Sequence, residues 1–197
     1  MKYYKLPLGP EAIQKLLPQR RPFLFVDRVT DLAFEPLPSL RAQRFISANE
    51  SIFNGHFPSL TLWPGAMTWE GLGQTTSLLG TLMEIWKQFE KKGVERQEFC
   101  KTLVNLEHVL THHPNQDIEH LELLKEFKLR EGMPFGVAGA VNIKFLAPVY
   151  AGCRLDYEVI LTKILGQTYH FQLQAKVDEK LVAKGTMVSA IRLASFG

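Results

Sequence analysis

The chain has 197 residues, 46% of them hydrophobic, and a formal net charge of +3. That is the length of one domain able to bury a sizeable core, and it lacks the dense Lys/Arg stripe of a nucleic-acid binder. Its two cysteines, Cys100 and Cys153, are far apart, which argues against a disulfide scaffold and fits a reducing compartment.

The N-terminal MKYYKLPLGPEAIQKLL carries lysines but no apolar signal-peptide segment. No apolar run reaches the roughly 18 residues of a membrane span, so a soluble, cytoplasmic protein is expected. Gly9-Pro10 followed by EAIQKLL predicts a short helix, with Pro10 near its first position and Pro18 ending it. Phe23 to Phe34 is rich in Phe, Val and Leu and reads as a strand; Leu40 to Ile46 reads as a second.

Pro64 to about Lys87 is the strongest helix pattern, roughly 35 Å long at ~1.5 Å per residue. From Pro64 to Trp86 only Glu70 and Glu84 are charged, and glycines recur at 65, 71, 73 and 80. A helix apolar on nearly every side is a buried one, and its glycines suggest close backbone packing. Residues 91–131 read as a helical insertion: Cys100, Leu103, Leu106, Val109 and Leu110, then Ile118, Leu121, Leu124 and Phe127, fall at helical spacing on either side of His113-Pro114-Asn115.

From Phe135 the period switches to two. Leu155, Tyr157, Val159 and Leu161 form one alternating run, and Tyr169, Phe171, Leu173, Ala175 and Val177 another. Gly166-Gln167 and Asp178-Glu179-Lys180 mark hairpin turns, and Leu181 to Arg192 is the last strand. Such alternation marks strands with one buried face. The expected architecture is α+β, a single domain over residues 1–197, with one antiparallel sheet curled around a long central helix.

The chemistry concentrates between Asn54 and Gln74, in Gly55-His56-Phe57-Pro58, a short loop, and Trp63-Pro64-Gly65-Ala66 leading to Glu70. Imidazole titrates near neutrality and exchanges protons at cellular pH. A carboxylate among Trp69, Leu72 and Met67 is expected to be desolvated and to stay protonated as an acid. The helix start at Pro64-Gly65 offers unpaired N–H groups and a positive dipole end to a developing oxyanion. Base, acid and oxyanion donor together suit proton removal beside a carbonyl with loss of a β-hydroxyl. Gln74, four residues after Glu70, lies on the same helix face and can orient it. Taken singly, Gly-His-Phe-Pro is an ordinary turn, whereas a buried glutamate is uncommon.

NGHFPSLTLWPGAMTWEGLGQ closely resembles the active-site segment of the β-hydroxyacyl-(acyl-carrier-protein) dehydratases of type II fatty-acid synthesis, the FabZ/FabA kind. GHFP, a loop ending in Pro-Gly and a helix with E-x-x-x-Q are all present, with thirteen residues between His56 and Glu70. LPQRRPFLFVDRV and VNIKFLAPVYAGCRLDYEV resemble flanking segments of the family, so the likeness covers roughly 130–150 residues.

The resemblance implies a hotdog fold and a dimer, homodimeric or paired with a related subunit and open to higher assembly, each site combining one subunit's histidine with the other's glutamate. It implies a dehydratase that forms a trans-2-enoyl thioester on acyl carrier protein, in fatty-acid or polyketide-like synthesis, with no metal and no redox cofactor. His56 would take the C2 proton, Glu70 would protonate the leaving hydroxyl, and Gly65 would bind the thioester oxygen. Ala66, Phe57, Pro58, Gln74 and Trp63 would complete the binding surface.

The sequence departs from the family at Gln19, Arg21, Ser59-Leu60-Thr61, Lys144 and Ala151-Gly152-Cys153, which bears on chain length, carrier docking and pathway. Two other readings stand beside the enzyme: a non-catalytic hotdog subunit that binds an acyl chain or pairs with an active partner, and a hotdog thioesterase. Retention of both His56 and Glu70 favours the dehydratase. His108 and His112 have the i, i+4 spacing of zinc ligands, but Val109 stands where H-E-x-x-H needs glutamate, so a solvated helix face is expected. Phe23, Phe53, Phe57, Trp63 and Trp69 suit an acyl tunnel or plain core equally. Arg20, Arg21, Arg41, Arg44 and Lys144 suit an acidic carrier or a solvated basic surface.

Overall fold

In the computed structural model, residues 1–112 and 135–192 are described. The elements run β1 (Tyr4–Leu8), α1 (Pro10–Leu16), β2 (Arg28–Ala33), β3 (Ser39–Ile46), a 3-10 turn (Ser51–Asn54), α2 (Gly65–Lys91), α3 (Arg96–His112), β4 (Phe135–Phe145), β5 (Cys153–Leu165), β6 (Thr168–Val177) and β7 (Lys180–Arg192). The strands form one sheet in the order β1-β2-β3-β5-β6-β7-β4, and every neighbouring pair is antiparallel.

The sheet wraps α2 because alternation gives it one apolar face. Leu40, Ala42 and Ile46 of β3, Leu155, Tyr157, Val159 and Leu161 of β5, and Phe171, Leu173 and Ala175 of β6 are buried, as period-two patterning requires. Against them α2 buries Leu72, Leu78, Leu79, Leu82, Ile85 and Trp86, and it packs on β3, β4, β5 and β6. One glycine of α2 has a definite steric reason. A Cβ at Gly71 would lie 2.2 Å from Tyr157 Oη and 2.4 Å from its Cζ, so the helix can sit this close to β5 only without a side chain there.

Several expected boundaries move. Pro64 is the cap residue before α2, with ψ 131°, and the helix continues to Lys91. The expected strand from Phe23 to Phe34 pairs in the sheet only over Arg28–Ala33, because the Phe25 N–H is taken by a side chain of α2. Tyr4–Leu8 is a strand despite Pro7. It lies at the sheet edge, where a missing N–H is tolerated. Asp178 and Glu179 both have positive φ, 47° and 64°, the conformation that closes a two-residue hairpin, and Gly166 has φ 58° in the β5–β6 turn.

The first half of the helical insertion is α3, which packs on β1, α1 and α2. Its Phe99 ring meets Phe34, Trp86 and Phe89 at centroid distances of 6.2, 5.4 and 5.1 Å. The second amphipathic stretch, Ile118 to Phe127, lies outside the described residues, as do His113 and His120. His108 and His112 sit on an exposed face of α3, where His112 Nδ1 donates to the His108 carbonyl at 3.0 Å. Among the described residues no three metal-ligating side chains cluster, and no helix is long and apolar enough to cross a membrane.

Candidate active site

His56 is held by the 3-10 turn that follows β3. The Ile52 carbonyl accepts the N–H groups of Gly55 at 3.1 Å and His56 at 2.9 Å, and buried Phe53 anchors the turn against Trp63 at 6.3 Å. Beyond His56 the chain closes a small loop, with Phe57 N–H to Leu60 carbonyl and Leu60 N–H to Phe57 carbonyl, both 2.9 Å. The His56–Phe57 peptide is cis, and the two rings stack at 4.2 Å. Residues 61–63 are laced to 149–151: Trp63 N–H donates to Val149, and Ala151 N–H to Thr61.

That lacing fixes the Leu62 carbonyl, which lies 2.9 Å from His56 Nδ1. A carbonyl only accepts, so Nδ1 carries a proton, and in the neutral ring the lone pair is on Nε2. The half-buried imidazole is thereby set in the tautomer of a base.

The start of α2 supplies positive potential. Pro64 carbonyl accepts from Met67 and Thr68, and no side chain caps the helix. The Gly65 and Ala66 N–H groups are left without an acceptor among the described residues, as the first turn of a helix dictates. The ring of Phe145, 52% exposed, lies over this point: a Cβ at Gly65 would be 2.9 Å from its Cζ.

Glu70 follows in the second turn and is half-buried. Its Oε1 accepts from Gln74 Nε2 at 2.9 Å. Gln74 is itself fully used: the same Nε2 donates to the Phe23 carbonyl at 2.9 Å, and Oε1 accepts the Phe25 N–H at 2.8 Å. With both donors and the acceptor engaged, the amide has one orientation.

The other residues named from sequence divide. Ala66, Phe57 and Pro58 are exposed, and Gly65 is half-exposed. Trp63 is 3% exposed, packed behind the site against Phe25 at 6.1 Å. Phe23 is 56% exposed while Phe53 is buried, and Trp69 is half-buried. Of the basic residues, Arg41 is engaged by Glu158 at 2.7 Å, and Arg20 donates to the Leu17 and Gln19 carbonyls. Arg21 and Lys144 are exposed. Arg44 is turned inward between Asp27 and Glu50, a placement that its expected surface position did not suggest. The signal was there: Leu40, Ala42, Arg44 and Ile46 share one phase of β3.

A model of the FabA-like domain matches residues 17–109, a span that includes both His56 and Glu70. The chain is 32% identical over 180 residues to the 3-hydroxyacyl-[acyl-carrier-protein] dehydratase FabZ of Escherichia coli O9:H4 (strain HS), covering 91% of this chain and 90% of that protein. It is 45% identical over 80 residues to the protein of the same name in Neisseria meningitidis serogroup C (strain FAM18), covering 41% of this chain and 52% of that one. Among solved structures it is similar to the dehydratase heterocomplex ApeI:P from Xenorhabdus doucetiae, with TM-score 0.54 at 12% identity over 91% of this chain and 90% of that one. The fold shared with these neighbours is the hotdog, a sheet wrapped around one long helix.

Proposed function

The chain belongs to the FabZ family of 3-hydroxyacyl-[acyl-carrier-protein] dehydratases, hydro-lyases of fatty-acid biosynthesis, and we propose that His56 and Glu70 carry that reaction here. The observation that carries this reading is the bond from His56 Nδ1 to the Leu62 carbonyl, which puts a proton on Nδ1 and makes Nε2 the nitrogen that serves as base. Nε2 takes a proton from C2 of the 3-hydroxyacyl thioester. The electron pair of that C–H bond becomes the C2–C3 double bond, and the C3–O bond breaks. The departing hydroxyl takes the proton of the Glu70 carboxyl and leaves as water. Charge gathering on the thioester oxygen is met by the Gly65 and Ala66 N–H groups at the positive end of α2. Gln74 holds Glu70 through Oε1, leaving Oε2 for the hydroxyl. Transfer of the proton from His56 back to Glu70, through water, resets the pair.

The substrate's carrier is acyl carrier protein, and the setting is the cytoplasm. The active form is a dimer in which the base of one subunit works with the acid of the other. Support for this comes from the exposed apolar side chains at and just beyond the β4 edge: Val141, Phe145 and Leu146 are 43%, 52% and 48% exposed. An unpaired, apolar edge strand is a surface that pairs with another chain. Phe145 lies directly over Gly65, so a subunit docked on that edge would reach the helix start.

The test is dehydration of 3-hydroxyacyl thioesters on acyl carrier protein, over a range of chain lengths, by the native chain and by His56→Ala and Glu70→Gln. Each variant should fold and lose about 100- to 10,000-fold in kcat, the contribution of a positioned acid or base. A native chain that binds acyl carriers but turns over none of them would instead be a non-catalytic subunit, and release of free acid would make it a thioesterase.

A further inference from the structure

Strand β3 carries a charge in its buried phase. Leu40, Ala42 and Ile46 point into the core with exposures of 0, 1 and 2%, and Arg44, in the same phase, points with them. Its side chain is 13% exposed. A guanidinium is taken out of water only where carboxylates and hydrogen bonds replace the water. Arg44 has two carboxylates, with Nη1 on Asp27 Oδ1 at 2.8 Å and Nη2 on Glu50 Oε1. It also lies 6.0 Å from the Phe25 ring centroid and 5.8 Å from that of Trp63.

Three of these four neighbours lead to groups of the site. Glu50 caps the 3-10 turn, and that turn's Ile52 carbonyl receives the N–H of His56. Trp63 follows Leu62, whose carbonyl sets the His56 tautomer, and precedes Pro64, which caps α2. Phe25 donates to Gln74, which donates to Glu70. Asp27 is itself fixed, its Oδ2 accepting the Phe45 N–H at 2.7 Å and its own N–H bonded to the Gln43 carbonyl at 2.8 Å. One cation therefore touches the turn that carries the base, the segment that holds the acid, and the approach to the oxyanion donors. The first and third lie in the connection between β3 and α2, and the second in the connection between α1 and β2.

We propose that Arg44 is a positioning residue for this chemistry: through Glu50 and Trp63 it holds His56 in the Nδ1–H tautomer, with Nε2 free. The proposal rests on the reading of His56 as the base. A buried ion pair is weak evidence for a role in stability alone, and Arg44 also leaves its Nε buried without a hydrogen-bond partner among the described residues.

The experiment compares the native chain with Arg44→Met, Arg44→Lys and Glu50→Gln, after thermal melting has shown which variants fold. The first readout is the ¹⁵N-coupled NMR signature of the His56 imidazole, assigned by its loss in His56→Gln. In the native chain it should report one tautomer, protonated at Nδ1. In Arg44→Met it should report both, while Arg44→Lys, which keeps the charge, should recover most of the native signature. The second readout is steady-state dehydration: kcat should fall about 100-fold in Arg44→Met, the effect of a displaced catalytic group, with KM within about threefold of native, as for loss of an interaction acting in the transition state.

A folded Arg44→Met protein that keeps the single Nδ1–H tautomer overturns the inference, whatever its kcat. If Arg44→Met does not fold, Glu50→Gln decides in the same way. If the native chain dehydrates no substrate, it is the dehydratase reading that fails, and the tautomer still decides the role of Arg44.

Discussion

Gln74 shows how a side chain in the middle of a buried helix can be committed on every atom. Its Oε1 holds the Phe25 N–H, and its two amide hydrogens hold the Phe23 carbonyl and Glu70. The opposite case sits one turn earlier. The hydroxyl of Tyr157 is buried without a partner among the described residues, pressed on Gly71 of α2, and burial pushes its ionisation well above the usual tyrosine range. Removing an unpaired buried hydroxyl relieves a desolvation cost, so Tyr157→Phe should melt at or above the native temperature. Gly71→Ala should lose about 1–3 kcal/mol, the usual cost of overpacking, as read from urea unfolding. The i, i+4 relation of Gln74 to Glu70 was legible in sequence because it is local to one helix. The bond to Phe25, 49 positions away, was not, since nothing in the local pattern of residues 23–27 distinguishes a strand from a segment held by a side chain.

At the scale of elements, α3 acts as a clamp on the N-terminal part of the chain. The cap residue of α1, Gly9, has no side chain to cap the helix, and Glu107 of α3 does so from across space: its Oε2 accepts the Ala12 N–H at 2.9 Å. Glu107→Ala should cost about 1 kcal/mol, as loss of a cap does. That lowers Tm by about 2–4 °C in a chain of this size, with dehydration kept, because the bonds that hold His56 and Glu70 come from Leu62 and Gln74 and not from α1.

The same packing controls Cys100. Burial raises its thiol from 9.0 to about 11, and reactivity follows the thiolate. At pH 8 Cys100 should therefore be alkylated about 100-fold more slowly than an unburied thiol, with the half-buried Cys153 modified first; peptide mapping after iodoacetamide checks both. Fast labelling of Cys100 in the folded chain would mean that α3 does not stay docked. Of the expected stripe, Cys100, Leu103, Leu106 and Leu110 are on the buried face and Val109 is only half-buried at its margin, since a 3.6-residue period needs no knowledge of the partner. Which elements the face would cover, β1, α1 and α2, was not written in it.

At the scale of the molecule, the proposed two-subunit site leads to an outcome that a single-chain site does not. His56→Ala and Glu70→Gln chains, each inactive alone, should regain activity when mixed and allowed to exchange subunits. A mixed dimer carries one site with both native groups, so random pairing should restore about one quarter of native activity. No recovery, with exchange demonstrated by mass, would place both groups in one subunit. A charged residue in the β4 edge, such as Val141→Lys, should shift the chain toward monomer in sedimentation, because a charge on that exposed surface would have to leave water for a second chain to dock there.

The sequence by itself determined the features that live within one element. These are the period-two strands β5 to β7, the buried helix, the hairpin turn at Asp178-Glu179, and the spacing that sets His56 and Glu70 on either side of a helix start. Each follows from periodicity or backbone geometry, which neighbouring residues encode. Only the tertiary structure decided what depends on contacts between distant segments. It placed β1 beside β2, gave the Phe25 N–H to Gln74, left β4 at the sheet edge, and turned Arg44 inward to meet Asp27 and Glu50. A charge in an apolar phase of a strand can be read as an exception, but its meaning depends on whether carboxylates meet it in space, and their approach is set by the fold as a whole.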